Sequence, residues 1–317
     1  MNQSSKLYTA TNIRNTFFSE ISIGISGNSV LLLFHVLMSS REHKPRLTDM
    51  PIGVLAIVHL LMLLVVGVIA TDMFISRQGW DDITCKSLVF LYRFLRGLSI
   101  CTTCLLSVLQ AITLSPRHSC LAKFKKSLSP CHSLWSLLAL CFVYSSISSN
   151  LLVYIVITPN VTSDHLLYVT ESCSLLPFSF PVKYIMSTLF VFREAFFLGV
   201  MGLSSGYMVV LLCRHKKQSQ HLHSTSLSPK ASPEERATRT ILLLMSFFVL
   251  ISILDSFMSF SRHMFKDDPI FYCVQILVSH SYASVSPFVF ISTEKDITRL
   301  LRSMCERIVT ICLFSDR

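Results

Sequence analysis

Charged side chains lie inside the most apolar stretches of this sequence, and the types and spacing of five of them suit them to specific chemistry. They are two arginines three positions apart, an Arg–Glu pair and a single aspartate: Arg93, Arg96, Arg193, Glu194 and Asp255. A charge at the centre of a bilayer costs about 2.5–3.5 kcal/mol on insertion scales, so it is expected to be paired, hydrated or used to bind something. The pattern predicts either ion pairs between helices or polar anchors in a ligand pocket.

The composition indicates that lipid surrounds the elements that carry these charges. Hydrophobic residues make up 51% of the 317 residues and charged residues only 15%, whereas about 25% of a soluble domain is charged. Seven stretches are long enough to cross about 30 Å of hydrocarbon as helices. They are residues 17–39, 50–71, 87–114, 134–156, 184–213, 239–261 and 269–292. The sequence therefore predicts an all-α membrane protein with a seven-transmembrane helix bundle.

The positive charges predict the orientation of this bundle. Eighteen of the 28 Lys and Arg residues fall in 40–49, 115–133, 214–239 and the C-terminal tail, which alternate with segments that hold only seven. Because Lys and Arg concentrate on the cytoplasmic side, the N-terminus is expected outside and the C-terminus inside. This arrangement accounts for most of the net charge of +10, so no nucleic-acid partner is needed to explain it.

Three divisions of the chain follow from the orientation. We expect an extracellular N-terminus over 1–16, a membrane domain over 17–292 and a cytoplasmic tail over 293–317. The tail carries apolar residues at helical spacing between cations: Ile297, Leu300, Leu301, Met304, Cys305 and Ile308. That pattern is typical of a short amphipathic helix that lies on the lipid of the inner leaflet.

The predicted orientation places two cysteines and one asparagine on the outer side of the membrane. Cys85 lies at the outer mouth of the third span and Cys173 in the outer loop after the fourth, so both face an oxidising compartment. A bridge between them would hold that loop over the bundle, although Cys273, near the start of the seventh span, is an alternative partner. Asn160 begins an Asn-Val-Thr acceptor for glycosylation in the same loop.

The intramembrane charges are predicted to meet in the outer half of the bundle. Counted from the outer ends of the spans, they and two residues of the seventh span, His280 and Tyr282, lie about 9–20 Å deep. Three arginines face two carboxylates, so a pocket here would favour anionic or strongly hydrogen-bonding small molecules. The alternative is structural pairing of Arg96 or Arg193 with Asp255 or Glu194, without any ligand.

Several strings resemble one receptor family. They are GNSV (27–30), LLSVLQAITLSP (105–116), FREAFFLGVMGLSSGYMV (192–209) and HSYASVSPFVFI (280–291). Together with the seven spans and the two outer cysteines, they are similar to the vomeronasal type-1 receptors, the pheromone-receptor family among rhodopsin-like G-protein-coupled receptors.

This resemblance implies a chemosensory receptor of the plasma membrane. Its expected ligand is a small chemosignal, volatile or steroid-like and including anionic ones, bound among spans three, five, six and seven. Its expected partner is a heterotrimeric G protein of the inhibitory type, and no cofactor is implied.

The chain departs from the general rhodopsin-like pattern at points that matter for signalling. An acidic residue, an Arg and a Tyr would close the third span, but here the string is SVLQ, which ends at Gln110, and His59 stands where the second span would carry an Asp. The usual ionic lock and sodium site therefore do not transfer. We expect Gln110, Arg117 and Lys123 to face the G protein. We expect Pro287, which frees backbone carbonyls inside its helix, to act as a switch point.

Other functional classes fit the sequence less well. We find no Walker motif, G-x-G-x-x-G, H-E-x-x-H or catalytic triad, so the chain is not expected to be an enzyme. His221 and His223 are a weak metal-binding pattern, and no metal site is expected. A transporter or channel would also keep charges in the membrane, but no internal repeat supports it. A bitter-taste-type receptor likewise lacks the acidic-Arg-Tyr triad, yet the string in span five and the two outer cysteines argue against it.

Overall fold

A computed structural model of the chain describes residues 3–41, 48–75, 79–116, 119, 130–149, 155–157, 167–168, 170, 172–175, 180–222, 233–264 and 269–293. These residues contain seven helices, the number that the sequence predicts. They are α1 (Gln3–Arg41), α2 (Asp49–Phe74), α3 (Asp82–Leu114), α4 (Pro130–Ser149), α5 (Phe180–Leu222), α6 (Pro233–Met264) and α7 (Pro269–Thr293). Within the described residues, all but α4 contain a stretch long and apolar enough to cross a membrane. The protein is thus a multi-pass helical membrane protein.

Helix α3 is the central element of the bundle. It packs against α2, α4, α5 and α6, while α1 packs between α2 and α7. Large apolar side chains cover the outward faces, for example Leu203 of α5 and Phe142 of α4, which expose 79% and 75% of their surface. Because lipid tails are as apolar as these side chains, such faces suit a membrane, and the polar groups of α3 are left to contact other helices.

A small antiparallel sheet, which the sequence does not predict, lies between α4 and α5. Its strands are β1 (Ile155–Ile157), β2 (Leu167–Tyr168) and β3 (Cys173–Leu175), in the order β1-β3-β2. Ile155 is paired with Leu175 and Ile157 with Cys173. The expectation of an uninterrupted fourth span to residue 156 is therefore wrong, since α4 ends at Ser149. The run Ile-Val-Ile is β-branched and favours a strand once β3 offers it a partner.

A disulfide and a buried carboxylate fix this sheet to the helices. The disulfide joins Cys85 of α3 to Cys173 of β3, with their Cα atoms 5.9 Å apart, so Cys85 pairs with Cys173 and not with Cys273. Asp72, near the end of α2, accepts hydrogen bonds from the backbone N–H and the hydroxyl of Ser172, at 3.1 and 2.7 Å. The two attachments hold the loop against the same end of α2 and α3.

Helix α1 satisfies the backbone carbonyl that Pro287 frees in α7. Proline has no N–H, so the carbonyl of Ala283, four residues earlier, loses its helical donor. The side-chain amide of Asn28 donates to that carbonyl at 2.9 Å. Gly27 allows the close approach, because a Cβ there would lie 2.9 Å from the Pro287 ring. A neighbouring helix thus supplies the hydrogen bond that Pro287 removes from α7.

Candidate ligand site

An ion pair joins α3 to α6 in the interior of the bundle. The guanidinium Nη2 of Arg96 lies 2.5 Å from Oδ2 of Asp255, and the two side chains are 29% and 11% exposed. Gln275 of α7 donates to the other carboxylate oxygen at 3.2 Å. Three helices therefore share one cluster, in which Asp255 accepts hydrogen bonds from α3 and from α7. Of the two predicted alternatives for these charges, this arrangement favours structural pairing over ligand binding.

A second ion pair lies within α5 and contacts α4. Arg193 donates to Oε1 of its neighbour Glu194 at 2.7 Å. The guanidinium also stands over the ring of Tyr144, with its carbon 4.1 Å from the ring centroid, which adds a cation–π attraction. Tyr144 in turn packs so closely on Gly97 of α3 that a Cβ there would overlap its ring. The pair thus contributes to the α3–α4–α5 contact.

Arg93 occupies a different place from the other two arginines. It lines a crevice between α2, α3 and α7 whose empty volume, counting the part open to the surroundings, is about 400 Å³. Among the described residues, Arg93 takes part in no ion pair. The crevice walls are apolar or aromatic and comprise Val66, Ile69, Val89, Tyr92, Tyr272 and Ile276. A cation in an apolar recess is a suitable anchor for a small ligand.

His280 is the second polar residue that lines the crevice. Its Nδ1 lies 2.5 Å from the backbone carbonyl of Ile276, and its ring stacks at a tilt on Tyr92, with centroids 5.1 Å apart. The Tyr92 hydroxyl is 3.4 Å from the Ser279 hydroxyl. His280 is 3% exposed, and its Nε2 is buried without a hydrogen-bond partner in the described part of the chain.

Tyr282, also predicted to line the pocket, belongs to a deeper cluster below it. Its hydroxyl lies 3.3 Å from that of Thr103 in α3, and its ring packs edge-on against Phe248 of α6. His59 lies beside it and bridges two helices, with Nε2 2.8 Å from the Ser99 hydroxyl and Nδ1 3.0 Å from the Ser286 hydroxyl. His59 therefore connects α2 with α3 and with Ser286, the residue of α7 that precedes Pro287.

The predicted site residues thus form separate groups instead of one pocket. Arg93 and His280 share the crevice, Arg96 pairs with Asp255, Arg193 pairs with Glu194, and Tyr282 lies deeper.

Sequence reasoning missed two residues that complete these groups, Tyr92 and Gln275, and also Asp72, which holds the outer loop. The signal for Gln275 was a polar residue inside a predicted span. The signal for Asp72 was a carboxylate one position beyond the predicted end of the second span.

The inner end of the bundle is described only in part. Gln110 of α3 is 6% exposed and therefore turned into the bundle, and nearby the Ser115 hydroxyl of α3 lies 3.0 Å from the Tyr207 hydroxyl of α5. Arg117, Lys123, Asn160, His223 and the C-terminal tail lie outside the described residues. Among those that are described, no three His, Cys, Asp or Glu side chains come together as a metal site.

Comparison with known proteins places the whole bundle in one group. The model of the vomeronasal organ pheromone receptor family matches residues 11–303. Vomeronasal type-1 receptor 94 of Rattus norvegicus is 60% identical over 98% of this chain and 95% of its own length. Vomeronasal type-1 receptor A11 of Mus musculus is 62% identical over 95% of each chain. Vomeronasal type-1 receptor 47 of Mus musculus is 60% identical over 98% of this chain and all of its own length.

Proposed function

The chain belongs to the vomeronasal organ pheromone receptor family, and we propose that it binds a small chemosignal in the outer half of its bundle and activates a heterotrimeric G protein. The family supports a chemosensory receptor in the plasma membrane. The observation that carries the ligand site is the crevice that Arg93 and His280 line, in a bundle where the other intramembrane arginines pair with carboxylates.

The proposal places the crevice on the extracellular side. Two independent arguments support this orientation: the distribution of Lys and Arg along the chain and the disulfide, because disulfides persist in oxidising compartments. Arg93 follows Cys85 by eight residues on α3, a rise of about 12 Å along the helix. The crevice and the disulfide therefore lie near the same end of the bundle, within reach of a ligand that arrives from outside.

The proposed mechanism is a shift between two arrangements of the bundle. Binding in the crevice contacts α3 and α7, and the cluster of Arg96, Asp255 and Gln275 connects these helices to α6. A ligand that binds one arrangement better than the other raises its population. Pro287 is the proposed switch point in α7, since the Ala283 carbonyl that it frees is bonded by Asn28 of another helix.

The inner end is the proposed docking side for an inhibitory-type G protein. Gln110 is turned into the bundle, so in this mechanism it reaches the G protein only when the helices separate there. Arg117 and Lys123 of the following loop would supply positive charge beside it. The proposal also includes glycosylation at Asn160 and an amphipathic helix in the tail. It divides the chain into 1–16, 17–292 and 293–317, and it assigns no catalysis and no cofactor.

The test is G-protein activation in intact cells with a tag at the N-terminus. Staining of unpermeabilised cells reports both surface level and orientation, and the cells are challenged with volatile odorants and sulfated steroids while whole-cell current is recorded. We expect surface staining and a dose-dependent G-protein signal without current. Ligand-gated current without G-protein activation would instead indicate a channel, and staining only after permeabilisation would refute the orientation.

A further inference from the structure

We propose that the crevice between α2, α3 and α7 seats a small molecule that carries both an anionic group and an O–H or N–H donor on an apolar body, such as an aromatic hydroxy acid. The proposal rests on the proposed receptor function and names the ligand class of its site. It also moves that site away from α5 and α6, where the sequence placed part of it.

The distribution of charge selects the anionic group. Arg96 and Arg193 each donate to a carboxylate at 2.5 and 2.7 Å, so their charge is already compensated. Arg93 lines the crevice and is partly buried, without an ion pair in the described part of the protein. A guanidinium has five N–H donors and no acceptor, and it binds carboxylates in a fork. An anionic ligand group would supply the compensating charge that the described side chains around Arg93 do not.

The tautomer of His280 selects the donor. A backbone carbonyl accepts and never donates a hydrogen bond, so the 2.5 Å contact between Nδ1 and the Ile276 oxygen requires the proton on Nδ1. In a neutral ring, Nε2 is then an acceptor, and it is buried and without a partner among the described residues. A buried polar atom left without a hydrogen bond is costly. An O–H or N–H of the ligand would satisfy it.

The walls of the crevice select the body of the ligand. Aliphatic and aromatic side chains line it, and two of the aromatic rings, Tyr92 and His280, already stack on each other. The empty space of about 400 Å³ includes the part open to the surroundings, so the enclosed part is smaller than this. A single aromatic ring therefore suits the crevice better than a fused multi-ring skeleton.

The experiment compares three probes on the full chain, purified in lipid nanodiscs. They are 4-hydroxyphenylacetate, which has the anion and the donor; its methyl ester, which lacks the anion; and phenylacetate, which lacks the donor. Binding is read from the shift of the thermal unfolding midpoint with probe concentration. We expect 4-hydroxyphenylacetate to bind about tenfold or more tightly than either analogue, because each analogue loses one hydrogen-bonding group.

Single substitutions assign each preference to its residue. Arg93→Gln should abolish the preference for the acid over the ester and keep that for the hydroxyl. His280→Leu should do the reverse, and His280→Gln, which still offers an acceptor, should retain part of the hydroxyl preference. Lys86→Gln is the matched control: it removes a cation of α3 that is already paired with Asp82 and does not line the crevice, so both preferences should persist.

Two sets of results would overturn the proposal. Equal binding of the three probes, or no binding of any at millimolar concentration, refutes the ligand class. If Lys86→Gln and Arg93→Gln lose the preference for the acid over the ester equally, the crevice is not the binding site. The overall positive charge of the protein would then explain the binding. These failures differ from failure of the receptor function. If a neutral volatile activates the G protein through this chain and Arg93→Gln does not change that activation, the chain is a receptor with a different class of ligand.

Discussion

Breaking the ion pair between Arg96 and Asp255 tests how the helices around the crevice are held together. The two charged atoms are 2.5 Å apart, and Gln275 donates to the second carboxylate oxygen. Removal of one partner leaves the other charge unpaired inside the bundle. Replacement of both partners by apolar residues leaves no unpaired charge. We expect Arg96→Met and Asp255→Leu to be destabilising singly and nearly neutral together.

The exposure of the two side chains sets the expected size of the effect. Breaking a fully buried pair costs about 3–5 kcal/mol. Here the Arg96 side chain is 29% exposed and that of Asp255 11%, which reduces the cost of each single substitution to about 2–3 kcal/mol, since exposed pairs contribute far less. If the double variant stays within about 1 kcal/mol of the wild type, the coupling energy is at least about 3 kcal/mol.

The assay is the thermal unfolding midpoint of the purified chain in nanodiscs. A loss of about 1 kcal/mol lowers the midpoint by about 2–4 °C for chains of about 150–250 residues and by less for longer ones, so each single variant should unfold several degrees lower, by at most about 12 °C. The exposed pair of Lys86 and Asp82 on the same helix, with side chains 36% and 50% exposed, is the matched control. Lys86→Met should cost about 0.5 kcal/mol or less.

Two outcomes would refute this reasoning. Additive losses in the Arg96→Met/Asp255→Leu double variant would mean that the two charges do not depend on each other. A loss in Lys86→Met as large as in Arg96→Met would mean that burial does not set the energy of the pair.

Three further substitutions probe the contacts that position these helices. Gly97→Ala pushes a methyl group into the tyrosine ring of α4 and should cost about 1–3 kcal/mol, whereas Gly199→Ala meets open space and should cost nothing in a thermal melt. Asn28→Leu strands the α7 carbonyl and should cost about 1–3 kcal/mol; Pro287→Ala, which restores an N–H, should recover part of that loss, and no recovery would contradict the bond. Cys85→Ser frees the outer loop and should lower surface staining several-fold, so unchanged staining would show that the disulfide is dispensable.

The fold was largely predictable because membrane thickness fixes the length of a spanning helix. All seven helices appear where apolar runs of that length occur. The prediction failed at Ile155, which continues the fourth apolar run but lies in β1. Hydropathy alone does not distinguish a helix from a short buried strand, and the partner strand that decides it lies further along the chain, beyond the next loop.

The candidate site residues could be named from the sequence as charges inside apolar spans, but their partners could not be predicted. Arg93 and Arg96 lie on one face of α3, yet Arg96 meets Asp255 and Arg93 lines the crevice. That difference depends on how α6 and α7 are rotated against α3, which the spacing of residues within one helix does not specify. For the same reason, the hydrogen bond from Gln275 to Asp255 could not be read from the sequence.

Ligand-dependent nucleotide exchange tests the central claim most directly. The purified chain in nanodiscs is mixed with an inhibitory-type heterotrimeric G protein, and the uptake of a non-hydrolysable GTP analogue is followed with and without each chemosignal that was active in intact cells. The account predicts faster exchange with ligand, reduced in Arg93→Gln and unchanged in Lys86→Gln. Exchange that no active ligand accelerates, in a preparation that binds the ligand, would contradict the claim that this chain couples an outer ligand site to a G protein.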